Sequence, residues 1–202
     1  MLYLTPPSTP PVREAIRAGL LGAMSTPGQG NRIEPGWPWA RDNGCFGKGW
    51  PGEGPFIDWL AAHDPDGCLF AVAPDVVGDA EATLRRSAPL LPVIRDMGYP
   101  AAFVLQNGVR PGLVPWDDCD VVFIGGDDEF KGGRVARAMI DDARARGKSV
   151  HMGRVNTFRR LKLAATMGCH TADGRTLALF PATLRQMLRW LADNRVQQQV
   201  LW

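Results

Sequence analysis

Short apolar runs, each closed by a polar or glycine-rich tip and most of them followed by a helical pattern, recur along the chain, and this alternation restricts the fold more than any other feature. Leu2–Leu4, Trp37–Arg41, Cys68–Ala73, Ala101–Leu105, Asp120–Ile124, Ser149–Met152 and Cys169–Ala172 read as strands. Helices are expected at Val12–Leu21, where Val12, Ile16 and Leu20 share one face, and at Phe56–His63. Asp79–Met97 opens on Asp79 with acidic residues in its first turn and is bent or interrupted at Pro89 and Pro92. Gly133–Arg146 turns Val135, Met139 and Ile140 inward and Arg134, Arg137, Arg144 and Arg146 outward, then stops at Gly147. Asn156–Met167 is capped by Asn156 or Thr157, and Pro181–Arg195 sets Leu184, Met187, Leu188 and Leu191 on one face. Parallel strands need a crossover, and a helix supplies it, so the reading is α/β. With Leu177–Phe180 or its neighbourhood included there are about eight strand candidates, which predicts a compact, degenerate (β/α)8 TIM-type barrel in a single domain over 1–202, below the usual ~250 residues. A doubly wound open sheet is the alternative; no GxGxxG follows the first strand, which argues against its dinucleotide-binding form.

A chain of 202 residues with 45% hydrophobic content is long enough to bury one sizeable core, and a net charge of +2 neither demands nor excludes a nucleic-acid partner. No apolar stretch approaches the roughly 20 residues that span a bilayer, and Met1–Pro11 is proline-rich rather than a basic segment leading into an apolar run. The expectation is a soluble, unexported, cytoplasmic protein with no membrane partner. Cys45, Cys68, Cys119 and Cys169 form no CxxC or CxC pair and read as reduced packing residues. The three histidines show no HxH or HExxH spacing, so no metal and no cofactor is expected. Gly22–Pro55, rich in Gly, Pro and Trp, is the longest irregular region, and long ordered loops in compact domains tend to be functional.

The chemistry comes from carboxylates at strand ends. Asp42, Asp75 and Asp173 each follow a strand, where an α/β barrel builds its site, and a pair of such groups can divide nucleophile and acid/base roles. Taken singly, an aspartate after a strand also serves as a helix cap or turn former, and that reading stays open for each. His151 is expected to line the barrel, and His170 to face away from Asp173 if strand alternation holds.

In order, the segments Trp39-Ala40-Arg41-Asp42-Asn43-Gly44-Cys45-Phe46, Ala73-Pro74-Asp75-Val76-Val77-Gly78-Asp79, Val104-Leu105-Gln106-Asn107-Gly108, Phe123-Ile124-Gly125-Gly126 and Val150-His151-Met152-Gly153-Arg154, then Gly168-Cys169-His170-Thr171-Ala172-Asp173, carry a family pattern. Together they resemble the guanine transglycosylases (queuine and archaeosine tRNA-ribosyltransferase-like), and most of all their short DNA-acting branch, the DpdA-type DNA 7-deazaguanine transglycosylases of phages and bacterial gene islands. The resemblance runs from about Trp37 to Arg175. It implies Asp173 as nucleophile and Asp42 as general acid/base. It implies Asp75 as reader of the purine's Watson–Crick edge, Gln106 with Gly108 at the base carbonyl, and Gly125 and Gly126 as a turn that lets backbone approach the base. Met152 either lies under the purine or is a core methionine. The partners it implies are DNA, with tRNA as the alternative, and a free 7-deazaguanine base such as 7-cyano-7-deazaguanine; so small a chain also leaves room for a protein partner that opens DNA. For a phage-encoded member the compartment is the host cytoplasm.

Asn43 stands where the family usually has serine, Cys45 where it has a second glycine, and Ala172 where phenylalanine precedes the nucleophile. The cysteine-rich zinc motif and the C-terminal extensions of tRNA-acting members are missing, which favours DNA. Lys48, Lys131, Arg154, Arg159 and Arg160, with Arg41, Arg134 and Lys162 nearby, are the cations expected to meet phosphates. Trp37, Trp39 and Trp50 either stack on an extruded base or pack beneath the long loop. Two other readings remain: a hydrolytic base-removing glycosylase on the same barrel, and a non-catalytic nucleic-acid-binding protein.

Overall fold

The computed structural model describes residues 1–47 and 49–200, with side chains through Asn194. Eight parallel strands close into a barrel in sequence order: β1 (Leu2–Thr5), β2 (Gly22–Ser25), β3 (Trp39–Arg41), β4 (Cys68–Val72), β5 (Ala101–Leu105), β6 (Val121–Ile124), β7 (Ser149–Met152) and β8 (Thr171–Asp173). Closure is made by β1 against β8, with Leu2 opposite Thr171 and Leu4 opposite Asp173. The expected (β/α)8 barrel is therefore the observed fold.

Strand alternation sorts the core into two layers. Leu4, Met24, Ala40, Phe70, Val72, Ala102, Val104 and Val121 fill the barrel interior. Tyr3, Ala23, Phe103, Leu105, Val122, Ile124, Val150 and Met152 face the helices. Helices follow most strands: α1 (Pro10–Arg17), α2 (Glu53–Ala61), α3 (Ala80–Ser87), α4 (Leu90–Asp96), α5 (Asp128–Gly132), α6 (Arg134–Ala145), α7 (Phe158–Thr166), α8 (Thr176–Leu179) and α9 (Pro181–Val200). Asp79 caps α3 by accepting from the Ala82 amide, and Thr157, of the two residues expected to do so, caps α7 by accepting from Arg160. The break between α3 and α4 falls at Pro89, as its ring and missing N–H require.

Three expectations need correction. The eighth strand is not Leu177–Phe180, which contributes the helical turn α8; it is Gly22–Ser25, inside the stretch read as irregular. Four residues of Gly, Ala, Met and Ser carry little strand signal, and a short apolar run such as Thr-Leu-Ala-Leu does not distinguish strand from helix. Val135 is 50% exposed, and the inward face of α6 is Ala136, Met139, Ile140 and Ala143. Pro181–Arg195 belongs to the longer α9, whose Leu184, Met187 and Leu191 are buried as expected. The cysteines are free, Cys45 half-buried and the other three buried. Among the described residues no helix is long and apolar enough to cross a membrane.

Candidate active site

Parallel pairing brings every strand's C-terminal end to one mouth, and three expected residues arrive there from strands far apart in sequence. Asp42 follows β3, Asp75 lies just beyond β4 and Asp173 ends β8; all three line one cavity of about 50 Å3, together with Gln106, Gly125 and Arg154. Asn43, Phe46, Val72, Val77, Val104 and Phe123 complete its wall.

Asp173 is held from below and beside. His151, fully buried in the barrel interior, sits with Nε2 3.0 Å from Asp173 Oδ1 and Nδ1 2.8 Å from the Thr171 hydroxyl. The tautomer that carries its proton on Nε2 satisfies both contacts, donating to the Asp173 carboxylate and accepting from the Thr171 hydroxyl at Nδ1. The Arg154 amide donates to the same oxygen at 3.1 Å. Both donors meet Oδ1, so Oδ2 has no donor among the described residues. The imidazole is itself fixed between the rings of Phe70 and Phe123, at 4.9 and 4.5 Å between centroids. Gly153 has to be glycine because a Cβ there would collide with the Phe123 ring.

Asp42 sits in a different environment. Burial pushes its carboxyl up to about 7, the nearby Asp173 and Asp75 charges add to the rise, and the Gly44 and Asn43 amides oppose it. At neutral pH it is poised between acid and base. Asp75 is also raised, by burial first, against hydrogen bonds from Asn43 Nδ2 to Oδ1 at 2.8 Å and from Gln106 Nε2 to Oδ2 at 2.6 Å. Gln106 is fixed at its other end, where Oε1 accepts from the Gly78 and Gly126 amides. A Cβ on Gly125 would stand 2.9 Å from Gln106 Nε2 and 2.7 Å from Val104, so glycine is what lets the β6 turn close on the glutamine.

A cover lies over the cavity. Phe46, 61% exposed, has the Arg154 guanidinium 4.1 Å above its ring, and the same guanidinium donates to the Gly126 carbonyl. Arg154 has φ 56°, the left-handed region that a non-glycine residue occupies only when its surroundings impose it. A second cavity of about 310 Å3 lies alongside and shares Val77 and Arg154 with the first.

The remaining expected residues are placed otherwise. Met152 is buried against the helix layer, because its neighbour His151 takes the inward position and strand side chains alternate. Gly108 forms a left-handed turn with φ 84° and does not line the cavity, and Gly126 borders the neighbouring one. Lys131 is no surface cation: it is 3% exposed, its Nζ donates to the Gly153 carbonyl at 2.7 Å, and burial lowers its pKa to about 8. Arg160 pairs with Asp128 and donates to the Arg154 carbonyl, Arg159 is exposed, and Lys48 lies outside the described residues. Trp37, Trp39 and Trp50 do not line the aspartate cavity; Trp39 packs edge-on to Tyr99, and Trp50 tilts against Phe56. Sequence reasoning placed His151 on the barrel lining, where it is found, but not its contact with Asp173, and gave no role to Phe46 or Asn43. Register offers a signal for His151, since it stands opposite Thr171 and two residues of the same strand, Val150 and Met152, claim the other face.

Fold and site define a (β/α)8 barrel with a carboxylate-lined C-terminal mouth. No family model and no curated protein matches the chain. Among solved structures it is similar to a cube-shaped, highly porous protein cage designed by fusing symmetric oligomeric domains, at 13% identity over 99% of this chain and 76% of that one, with a TM-score of 0.47. A likeness that loose bears no weight for function.

Proposed function

We propose that the protein is a DNA-guanine transglycosylase that exchanges guanine for a 7-deazaguanine through a covalent aspartyl-deoxyribosyl intermediate. The observation that carries this reading is the meeting, in one cavity, of Asp173 with a free Oδ2 and of Asp42 with a carboxyl near 7. Paired carboxylates in unlike environments are how one site runs nucleophilic and acid/base steps together. Asp173 Oδ2 attacks the anomeric carbon of a deoxyguanosine; the C–N bond to guanine breaks as Asp42 delivers its proton to the departing base. The ester stands until the incoming base attacks the same carbon, the C–O bond to Asp173 breaks, and Asp42 takes the proton from the base N–H. Two inversions retain configuration.

Asp75, steadied by Asn43 and Gln106, keeps a second lone pair on each oxygen for the N–H groups of a purine edge. His151 and the Arg154 amide orient the nucleophile. At about 50 Å3 the cavity is too small for a purine, so base entry requires Phe46 and Arg154 to swing away. The target base leaves the duplex stack first, at a few kcal/mol unless the strand is already single. Backbone contacts fall to Arg159 and Arg160 and to Arg154 once released, with Arg175, exposed just past β8, as a further candidate.

The test is mass spectrometry of nucleosides from DNA and from tRNA after incubation with the purified protein and 7-cyano-7-deazaguanine. A modified deoxynucleoside is expected. Modification confined to tRNA moves the reading to the tRNA enzyme, abasic sites without incorporation to a hydrolytic glycosylase, and unchanged nucleic acid removes the exchange activity.

A further inference from the structure

A larger cavity, about 750 Å3, lies away from the mouth, against β3 and the start of β4. It opens where the helical ring is incomplete, because residues 26–38 run from β2 to β3 without a helix. Trp37, Trp39, Arg32 and Arg41 line it from that side, and His63 and Gly67 from the turn before β4.

Arg41 is the residue that gives this cleft a chemistry. It is 4% exposed, and Nη1 donates to the Ser25 hydroxyl at 2.6 Å. Its guanidinium carbon lies 4.7 Å from the Trp39 ring centroid and 4.4 Å from that of Trp59. Nε is buried with no hydrogen-bond partner, and among the described residues no carboxylate pairs with the group. A guanidinium stays charged at any ordinary pH. Stacked indoles and the neighbouring Tyr99 hydroxyl offset part of the cost of burying it, but with no carboxylate opposite, a buried charge remains costly. The acidic residues of the same cleft stand at its edge: Glu34 is held by Arg17 at 2.9 Å, and Asp64 and Asp66 are exposed. The rim is mixed, with the exposed Arg32 and His63 beside Glu34, Asp64 and Asp66, so Arg41 is the one buried charge of the cleft and sets what it can bind.

We propose that this cleft binds a small molecule bearing one oxyanion, a carboxylate or a phosphate, which pairs with Arg41 while the body of the ligand lies against Trp37 and Trp39. The site is independent of the exchange chemistry at the mouth. Its volume falls in the range of small-molecule pockets, ~300–1,000 Å3.

The experiment titrates the purified protein with sodium phosphate and, separately, with sodium benzoate, against sodium chloride of equal ionic strength. Tryptophan emission and the Arg41 Nε–H resonance in 1H–15N spectra are followed. A saturable change in both signals with one of the two probes is expected, and the probe that saturates tells a phosphate from a carboxylate head group. Arg41→Met should weaken binding at least tenfold, with Arg41→Lys between it and the parent. Responses no greater than with chloride for both probes, or Arg41→Met binding as tightly as the parent, overturn the proposal; should Arg41→Met fail to fold, the parent resonance and Arg41→Lys decide.

Discussion

The two sides of the barrel mouth treat their carboxylates in opposite ways. On the β3–β6 side, Asp42 and Asp75 are deprived of water, and burial raises both. On the β7–β8 side, Asp173 is supplied with two donors on one oxygen, from an imidazole locked between aromatic rings and from a backbone amide. Identical side chains thereby meet different surroundings, and under the proposed function that difference gives the acid/base role to one side and the nucleophile to the other. The cover bridges the two sides, since Phe46 follows β3 and the same Arg154 whose amide meets Asp173 lays its guanidinium over that ring.

Removing the nucleophile gives the largest expected effect. Asp173→Ala should reduce base exchange, measured with labelled guanine, by at least about 1,000-fold in a protein that still folds, its melting temperature lowered only by the lost acceptor of His151 and the Arg154 amide. Retained exchange in that variant erases the distinction between the two sides.

Asp42→Asn comes next, with a loss of about 100- to 10,000-fold in exchange. The same variant carries a pH signature. An unfolded aspartate releases its proton near 3.9, whereas folded Asp42 holds it to about 7, so between those values the native chain binds more protons than the unfolded one. Stability from this group is complete below the unfolded value and is lost as pH rises through 7. Asp42→Asn removes that loss, and thermal melts should show it more stable than the parent at pH 8, by about 1–2 kcal/mol after allowance for solvent near the mouth, with the advantage gone near pH 4. An advantage that is the same at both pH values contradicts the raised carboxyl.

Asp75→Asn is expected to act on binding more than on rate, raising KM for the incoming base about 10- to 100-fold with a smaller change in kcat, because it reverses one hydrogen-bond partner at the purine edge. Met152→Leu is the smallest: a volume-conserving change in the helix-facing layer, under about 1.5 kcal/mol in stability and without effect on base affinity. An affinity change there would put Met152 back beneath the base.

Much of this was legible in the chain because it depends on periodicity. The alternation of strands and helices determines a parallel barrel, and a parallel barrel gathers strand ends at one mouth, so Asp42, Asp75, Gln106 and Asp173 could be named before any coordinates. What failed depended on parity or on loops. His151 and Met152 are neighbours on one strand and cannot both point inward: the barrel-lining position expected for His151 is the observed one, beside Asp173, and Met152, placed beneath the base, faces the helices instead. Lys131 follows a glycine turn and looks like a surface cation, yet α5 folds it inward to the Gly153 carbonyl. The Phe46–Arg154 cover joins two loops whose meeting no local pattern encodes. Gly22–Ser25 is short and has neither a β-branched nor an aromatic residue, so only its place between β1 and β3 makes it a strand.

The most direct test of the division of labour across the mouth is a denaturing gel and intact-mass measurement of the protein incubated with guanine-containing DNA in the absence of an incoming base. A protein–DNA adduct that survives denaturation, carries its link on Asp173 and is missing in Asp173→Asn is the predicted result. An adduct formed equally by Asp173→Asn, or exchange proceeding in that variant at the parent rate, contradicts it.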